Sequence, residues 1–163
     1  MHLETFDKLY KQHYHELHRI AQKMLCYDTA NDIVQDVFMD YYQKTKNGNT
    51  IEFPKSFLYR CTLNKCIDVQ RKNKRFAGNH IPEETPDYKD DFEKHEARDC
   101  IRNCLAALDI KDRELVVLYT EGLSYKEMAE VTQIRFNSIG KTLSRALKKL
   151  EKEINIQGYE LLK

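Results

Sequence analysis

Basic side chains are concentrated in the segment 135–152, which has the composition of a surface that binds nucleic acid. The segment contains six Lys or Arg residues and one acidic residue. Lys and Arg neutralise DNA phosphates, so this excess of positive charge suits nucleic-acid binding. At about 100° per residue, one side of a helix would collect the polar positions Ser138, Lys141, Arg145, Lys148, Lys149 and Lys152.

Two helices are needed to position this basic surface. Ser124, with Glu127 three residues later, is the pattern of a capping box and predicts a short helix from Ser124. After a break at 132–136, the second helix has an apolar face of Ile139, Leu143, Ala146, Leu147 and Leu150. This order is typical of a helix-turn-helix, whose second helix enters the major groove. The alternative is the solvated, Lys-rich face of an ordinary helical bundle.

Three aspartates recur every four residues in the segment 28–41. Asp32, Asp36 and Asp40 would share one helix face, where each like-charged pair costs a few tenths of a kcal/mol. Such a face is ordinarily solvated, but a partner bearing Lys or Arg would turn the repulsion into complementarity. We expect Asp28 to be the N-cap. The predicted buried face contains Ile33, Val34, Val37, Phe38 and Tyr41.

The segment 53–76 combines aromatic and basic residues. Pro54 suits the first turn of a helix, whose polar face would contain Arg60, Asn64, Asp68, Arg71 and Arg75. The interleaved aromatic residues are Phe53, Phe57, Tyr59 and Phe76. This composition fits a surface that stacks bases and neutralises phosphates. At least half of the aromatic residues are expected in the core.

Composition and periodicity predict an all-α protein with two small helical domains. The 163 residues are 41% hydrophobic and 33% charged, with a net charge of +1. Apolar residues recur at spacings of three and four, which favours helices. The segment 76–99 has three basic and eight acidic residues and no sustained period. We predict that this acidic, flexible linker joins a domain at 1–75 to a helix-turn-helix domain at 100–158.

Other classes of function find little support in the sequence. No apolar stretch approaches a membrane span or a signal peptide, so we expect a cytoplasmic protein without membrane insertion. The five cysteines include no Cys-x-x-Cys pair, and packing is favoured over a metal or redox role for Cys100 and Cys104. His13, His15 and His18 are expected to be exposed rather than zinc ligands. We expect no cofactor, no metal site and no enzymatic activity.

Four segments together resemble one family, the extracytoplasmic-function group of sigma-70 RNA polymerase sigma factors. "DIVQDVF" at 32–38 resembles its core-binding helix in region 2. "FLYRCTLNKCIDVQRKNKR" at 57–75 resembles its minus-ten recognition helix. "EGLSYKEMAEV" at 121–131 and "LSRALKKL" at 143–150 resemble region 4, which reads the minus-thirty-five element. The domains at 1–75 and 100–158 would then be regions 2 and 4.

The resemblance implies a role for each set of side chains. Core RNA polymerase, at its clamp helices, would be bound by Asp32, Gln35, Asp36 and Phe38. The minus-ten element would be bound by Asn47, Asn49, Arg60, Asn64, Asp68, Arg71 and Lys72, with the loop 46–53 holding a flipped base. The minus-thirty-five element would be bound by Arg135, Asn137, Ser138, Lys141, Thr142 and Arg145. Expected partners are core polymerase, promoter DNA as duplex and non-template single strand, and an anti-sigma factor.

Two positions depart from the family pattern, and two other functions stay open. Arg135 replaces the usual Ser at the cap of the recognition helix, and Gly140 replaces a common Arg or Lys. Glycine there indicates close packing, close approach to DNA, or simple tolerance. The alternatives are a helix-turn-helix regulator that does not bind polymerase and an adaptor that acts only through protein contacts. The linker would run near the RNA exit path of the polymerase.

Overall fold

The computed structural model describes residues 2–76 and 92–157. Across these two ranges the chain forms seven α-helices and no strand. The helices are α1 (His2–Met24), α2 (Tyr27–Lys46), α3 (Pro54–Phe76), α4 (Phe92–Ala106), α5 (Ile110–Thr120), α6 (Tyr125–Thr132) and α7 (Phe136–Ile156). The predicted all-α class is confirmed.

Helices α1, α2 and α3 form the N-terminal module. The predicted apolar face of α2 is confirmed, since Ile33, Val34, Val37, Phe38 and Tyr41 are all buried. They belong to one core cluster with Leu17 and Ile20 of α1 and Leu58 and Leu63 of α3. The buried face of α2 therefore follows from the spacing of its apolar residues.

The start of α2 differs from the prediction. Cys26 is the N-cap, and its Sγ lies 3.1 Å from the Thr29 Oγ1 atom. Asp28 lies inside the first turn instead, where a negative charge interacts favourably with the helix dipole. The prediction that Asp28 caps this helix was wrong by two positions.

Helices α4 to α7 form the C-terminal module. Its core contains Leu115 and Leu118 of α5, Met128 of α6, and Ile139 and Leu143 of α7. The break expected after the first helix of the pair is confirmed, because α6 ends at Thr132 and α7 begins at Phe136. These two helices form the predicted helix-turn-helix.

Part of the predicted linker is helical. Helix α4 begins at Phe92, so the segment 92–99 continues into the helix that buries Cys100 and Cys104. The rest of the linker, 77–91, lies outside the described residues.

The two modules pack against each other. Arg113 of α5, which is 8% exposed, donates to the carbonyl oxygens of Leu105, Ala106 and Leu108 and to the Gln70 side chain of α3. On α4, the Arg102 Nε donates to the carbonyl oxygen of Gln22 at 2.9 Å. Burial lowers the pKa of Arg113. A buried charge needs hydrogen-bond partners. Those of Arg113 connect α5 to the end of α4 and to α3.

Candidate functional site

The helix-turn-helix begins at the predicted capping box. The Glu127 backbone N–H donates to the Ser124 Oγ at 3.1 Å, and the Ser124 backbone N–H donates to the Glu127 Oε2 at 2.8 Å. This reciprocal pair satisfies two of the free N–H groups at the start of α6. The helix ends at Gln133, whose φ of 63° is in the left-handed region. The turn that follows redirects the chain into α7.

The outward face of α7 contains the predicted minus-thirty-five set. Arg135, Asn137, Ser138, Lys141 and Arg145 are exposed, whereas Thr142 is half-buried. Arg135 is the N-cap of α7. A guanidinium has no hydrogen-bond acceptor, so it cannot cap backbone N–H groups as a Ser would. The Ser138 backbone N–H in the first turn of α7 instead donates to the Arg135 carbonyl oxygen at 2.8 Å.

Gly140 lies inside α7 and faces α6. A Cβ at this position would lie 3.4 Å from the Cε2 atom of Tyr125 and would meet no other atom within 4 Å. Of the three explanations for this glycine, the structure supports simple tolerance, because the contact leaves room for a Cβ.

Lys149 belongs to the fold rather than to the basic face. Its Nζ lies 2.7 Å from the Asp112 Oδ2 and 3.7 Å from the Asp109 Oδ2. The hydrogen bond that Lys149 donates to Asp112 raises the pKa of Lys149. The sequence pattern placed Lys149 with the DNA-facing lysines, but the structure uses it to join α7 to the start of α5.

The polar face of α3 carries the predicted minus-ten residues. Asn64, Asp68, Arg71 and Lys72 are exposed, and Arg60 is half-buried. Burial raises the pKa of Glu114 on α5, and Lys111 and Arg60 both counteract that shift. Arg60, in the N-terminal half of this face, is thus close enough to Glu114 to interact electrostatically with the C-terminal module.

The aromatic residues beside this face divide between surface and core. Phe53 is 60% exposed, Phe57 is half-buried, and Tyr59 is buried at 1% exposure. Lys44 Nζ lies 4.9 Å from the centre of the Phe57 ring. The side chain of Phe76 lies outside the described residues. Phe53 is therefore the most exposed of the three aromatic residues whose side chains are described.

The loop between α2 and α3 presents amides to solvent. Asn47 and Asn49 are exposed on either side of Gly48, whose φ is 88°. Glycine adopts this left-handed conformation without the steric cost that a Cβ brings. Together with Phe53, these side chains form an exposed rim next to the start of α3.

The acidic face of α2 is smaller than the sequence predicted. Asp32, Gln35 and Asp36 are exposed. Phe38 is 2% exposed and packs against Phe6 and Tyr10 of α1, with ring centroids 6.1 and 4.8 Å away. The assignment of Phe38 to the partner-binding surface is therefore corrected, because its side chain belongs to the core beneath this face.

Asp40, the last of the three aspartates spaced four residues apart, forms an ion pair within the N-terminal module. Its Oδ2 lies 3.0 Å from the Lys65 Nζ on α3. This pair offsets part of the repulsion expected among the three aspartates. The charge offered to a partner therefore comes from Asp32 and Asp36.

A buried polar group connects α1 to α3 and was missed by sequence reasoning. The Tyr59 hydroxyl donates to the Glu16 carboxylate, and the His13 Nδ1 lies 3.3 Å from the same oxygen. His13 and His18 are buried at 5% and 9% exposure, so the expectation of exposed histidines holds only for His15. Aromatic rings surround His18: Tyr14 stacks on it with centroids 5.9 Å apart, and Tyr27 meets it edge-on at 4.9 Å.

The cysteines of α4 pack inside the protein. Cys100 and Cys104 are fully buried with their sulfur atoms 3.9 Å apart. Burial raises the pKa of the Cys100 thiol to about 11. A protonated, buried thiol is a poor nucleophile, which supports the packing interpretation.

Over 2–76 and 92–157, none of the helices is both long and apolar enough to cross a membrane.

Comparisons with known proteins cover both modules. Residues 9–76 match the family model for sigma-70 region 2, and residues 98–150 match the model for sigma-70, region 4. The chain is 23% identical over 157 residues to "ECF RNA polymerase sigma factor SigM" of Mycobacterium tuberculosis. That alignment covers 95% of this chain and 78% of SigM.

Two solved structures share the fold. CnrH, in complex with the cytosolic domain of CnrY, aligns with a TM-score of 0.72 at 21% identity, over 94% of this chain and 90% of that chain. The sigma factor RpoE, in complex with the anti-sigma factor NepR from Bartonella quintana, aligns with a TM-score of 0.67 at 21% identity, over 94% and 98%.

Proposed function

The chain belongs to the extracytoplasmic-function group of the sigma-70 family, and we propose that three exposed faces divide the work of a sigma factor among them. Its function is that of a sigma factor in transcription initiation. The proposal concerns which side chains bind core RNA polymerase, which bind promoter DNA, and where each contact acts. The observation that carries it is the presence of both region 2 and region 4 in one chain, each with an exposed polar face.

The core polymerase contact is assigned to the acidic face of α2. Asp32, Gln35 and Asp36 point into solvent from a helix whose apolar face is buried against α1 and α3. Exposed carboxylates one turn apart repel each other, so a basic partner surface gains from binding them. Phe38 contributes by holding α2 in place from the core side.

The minus-ten contact is assigned to α3 and to the loop before it. Arg60, Arg71 and Lys72 supply phosphate contacts, and Asn64 is placed to read a base. The loop amides Asn47 and Asn49, beside the exposed Phe53 ring, supply hydrogen bonds and stacking for an unpaired base. Asp68, whose carboxylate lies 3.9 Å from an Arg71 nitrogen, orients that guanidinium.

The minus-thirty-five contact is assigned to the first three turns of α7. Asn137, Ser138 and Lys141 lie on the exposed side nearest the helix start, followed by Thr142 and Arg145 one turn later. A recognition helix contacts bases mainly through its N-terminal residues. Arg135, at the N-cap, completes this surface.

The expected protein partners are core polymerase and an anti-sigma factor, and we place the activity in the cytoplasm. Two of the solved structures that share this fold hold a second protein: CnrH is in complex with the cytosolic domain of CnrY, and the sigma factor RpoE is in complex with the anti-sigma factor NepR. No catalytic activity of its own is proposed for the chain, because a sigma factor supplies specificity to the polymerase. The regulator and adaptor alternatives lose support, because residues 9–76 match sigma-70 region 2.

Transcription in vitro tests the proposal directly. Purified chain is mixed with core polymerase and a library of genomic fragments, and transcripts are mapped to their start sites. We expect start sites that share two sequence elements and vanish when the chain is omitted. Tight binding of the chain alone to an operator, with no effect on core polymerase, would instead support the regulator alternative.

A further inference from the structure

An exposed aromatic ring lies at the start of the recognition helix, and we propose that it reads the methyl group of a thymine in the minus-thirty-five element. Phe136 is the first residue of α7 and is 59% exposed. Arg135 and Asn137, both assigned to that DNA contact, flank it in the chain. The inference rests on the proposed function, because it adds a specificity-determining residue to the same duplex contact.

The exposure of Phe136 departs from the apolar pattern of α7. Phe136 lies three residues before Ile139 and seven before Leu143, a spacing that would place all three side chains on one buried helix face. Ile139 and Leu143 follow the pattern, with 0% and 2% exposure. The Phe136 ring remains in solvent, where it lacks the favourable free energy that burial of an apolar side chain brings. A partner that covers this ring is therefore stabilised by the contact.

The groove beside the ring is open and carries little net charge. Phe136 lines a groove of about 580 Å³ with residues of α6 and of the turn, namely Lys126, Ala129, Glu130 and Gln133. The opposite charges of Lys126 and Glu130 offset each other, so the electrostatic potential of the groove favours neither an anion nor a cation. The selectivity of this part of the surface therefore depends on the apolar ring.

The position of Phe136 along α7 is that of a base-contacting residue. In a helix-turn-helix, the N-terminal residues of the recognition helix contact base edges in the major groove. Asn137, Ser138 and Lys141, which follow Phe136 within the next two turns, are exposed at the same end of the helix. The ring therefore lies among the side chains that meet the duplex, not among those that meet its phosphates farther along α7.

The chemistry of the ring selects one group in the major groove. A phenyl ring has neither a hydrogen-bond donor nor an acceptor of the kind that reads the polar edges of guanine, cytosine and adenine. Thymine presents an apolar C5-methyl group in the same groove, and phenylalanine is one of the side chains that contact it. Removing one methyl-sized group from water contributes about fourfold to affinity. The expected base pair therefore contains a thymine, on either strand, at the position that Phe136 reaches.

Selection from a duplex library identifies the base pair. The full chain, with and without core polymerase, is mixed with duplexes randomised across the upstream element, and wild type is compared with Phe136→Ala. We expect wild type to enrich a thymine at one position, and Phe136→Ala to lose that preference while keeping the others. Replacing this thymine with uracil, which lacks only the methyl group, should weaken wild-type binding about fourfold and leave Phe136→Ala binding unchanged.

Two further variants separate base reading from folding. Ile156→Ala is the matched control, because Ile156 is an apolar side chain with 65% exposure at the other end of α7. It should distinguish thymine from uracil as wild type does. Phe136→Gln replaces the ring with a polar side chain that suits a helix, and it should lose the distinction. If circular dichroism shows Phe136→Ala to be unfolded, Phe136→Gln carries the test.

The outcomes distinguish this inference from the proposed function. The thymine contact would be overturned if wild type selects no thymine, or if a folded Phe136→Ala or Phe136→Gln variant distinguishes thymine from uracil as wild type does. Normal duplex selection by Phe136→Ala with weaker binding to core polymerase would also overturn it, and would make the ring a protein contact. A chain that distinguishes thymine from uracil on duplex but never supports transcription would refute the proposed function and leave the thymine contact standing.

Discussion

The Cε2 atom of Tyr125 lies 3.4 Å from the position that a Cβ on Gly140 would occupy. Tyr125 begins α6 and Gly140 lies in the second turn of α7, so this contact sets how closely the two helices of the helix-turn-helix approach. A Cβ at this position fits at ordinary van der Waals distance. The contact therefore leaves room for alanine, and glycine is tolerated here rather than required by packing.

Substitutions at Gly140 should separate helix propensity from packing. We expect Gly140→Ala to increase the free energy of unfolding by about 0.5–1 kcal/mol, because alanine favours helices and its Cβ fits. Gly140→Val should decrease it, since its extra methyl groups would meet Tyr125. Urea denaturation measures both effects, and Tyr125→Ala should rescue Gly140→Val. Destabilisation by Gly140→Ala would contradict this account.

The capping box predicts a dependence of stability on pH. The pKa of Glu127 lies below its ordinary value, chiefly because the Ser124 backbone N–H donates to it, with a further contribution from Lys55. A depressed pKa means that the carboxylate stabilises the fold above the unfolded value of about 4.3, and that this contribution is lost as pH falls through the lower folded value. Glu127→Gln should therefore flatten the fall in stability below about pH 4.5.

Denaturation at several pH values checks this prediction. Ser124→Ala should cost about 1 kcal/mol near neutral pH, because it removes the other half of the box. Glu130→Gln is a matched control, since Glu130 is an exposed carboxylate on the same helix. An equally flattened profile for Glu130→Gln would show that the acid sensitivity does not arise at the capping box.

Features encoded over a few residues could be predicted from the sequence. Three such features are confirmed: the capping box at Ser124, the helix start at Pro54 and the buried face of α2. Each depends on residues that lie within one or two helical turns of each other. Phe38 was assigned to the buried face by the spacing of the apolar residues and to the partner surface by the family resemblance. Its 2% exposure settles the choice in favour of the core.

Features that depend on distant residues could not be predicted in this way. The Arg19 Nε donates to the Glu121 carboxylate, 102 positions away, and no local pattern marks either residue as a partner. The burial of His13 and His18 likewise depends on tyrosines of α1, α2 and α3 that surround them in the folded chain. Periodicity identifies the face of a helix, but not the element that covers it.

The acidic face of α2 should determine binding to core polymerase. Asp32→Lys with Asp36→Lys removes two favourable charges and adds two repulsive ones, so we expect the complex to weaken at least tenfold. Both residues are exposed, and the fold should be unchanged by circular dichroism. Glu96→Lys with Glu151→Lys is the matched control, with the same charge change on exposed positions of the other module. Normal co-purification by a folded Asp32→Lys, Asp36→Lys variant would refute the assignment.

The two DNA-binding faces should fail at different steps of initiation. Lys141→Ala or Arg145→Ala should weaken binding to the upstream duplex element, with a salt slope smaller by about one unit for each lost phosphate contact. Once the strands are already separated, these variants should matter less. Lys126→Ala, an exposed lysine on α6, controls for loss of one positive charge from the same module.

Asn64→Ala should leave upstream binding nearly unchanged but impair strand opening, because a base held outside the stack would lose its polar partner at a cost of about 1–3 kcal/mol. Asn73→Ala, an exposed residue of the same helix, is the matched control. The assay is permanganate reactivity of unpaired thymines, with core polymerase present, on duplex and on pre-melted templates. A pre-melted bubble should rescue the Lys141 and Arg145 variants, since opening no longer depends on initial duplex capture. If the bubble gives them no such advantage, or if Asn64→Ala opens duplex as well as Asn73→Ala does, the division of roles between α7 and α3 is wrong.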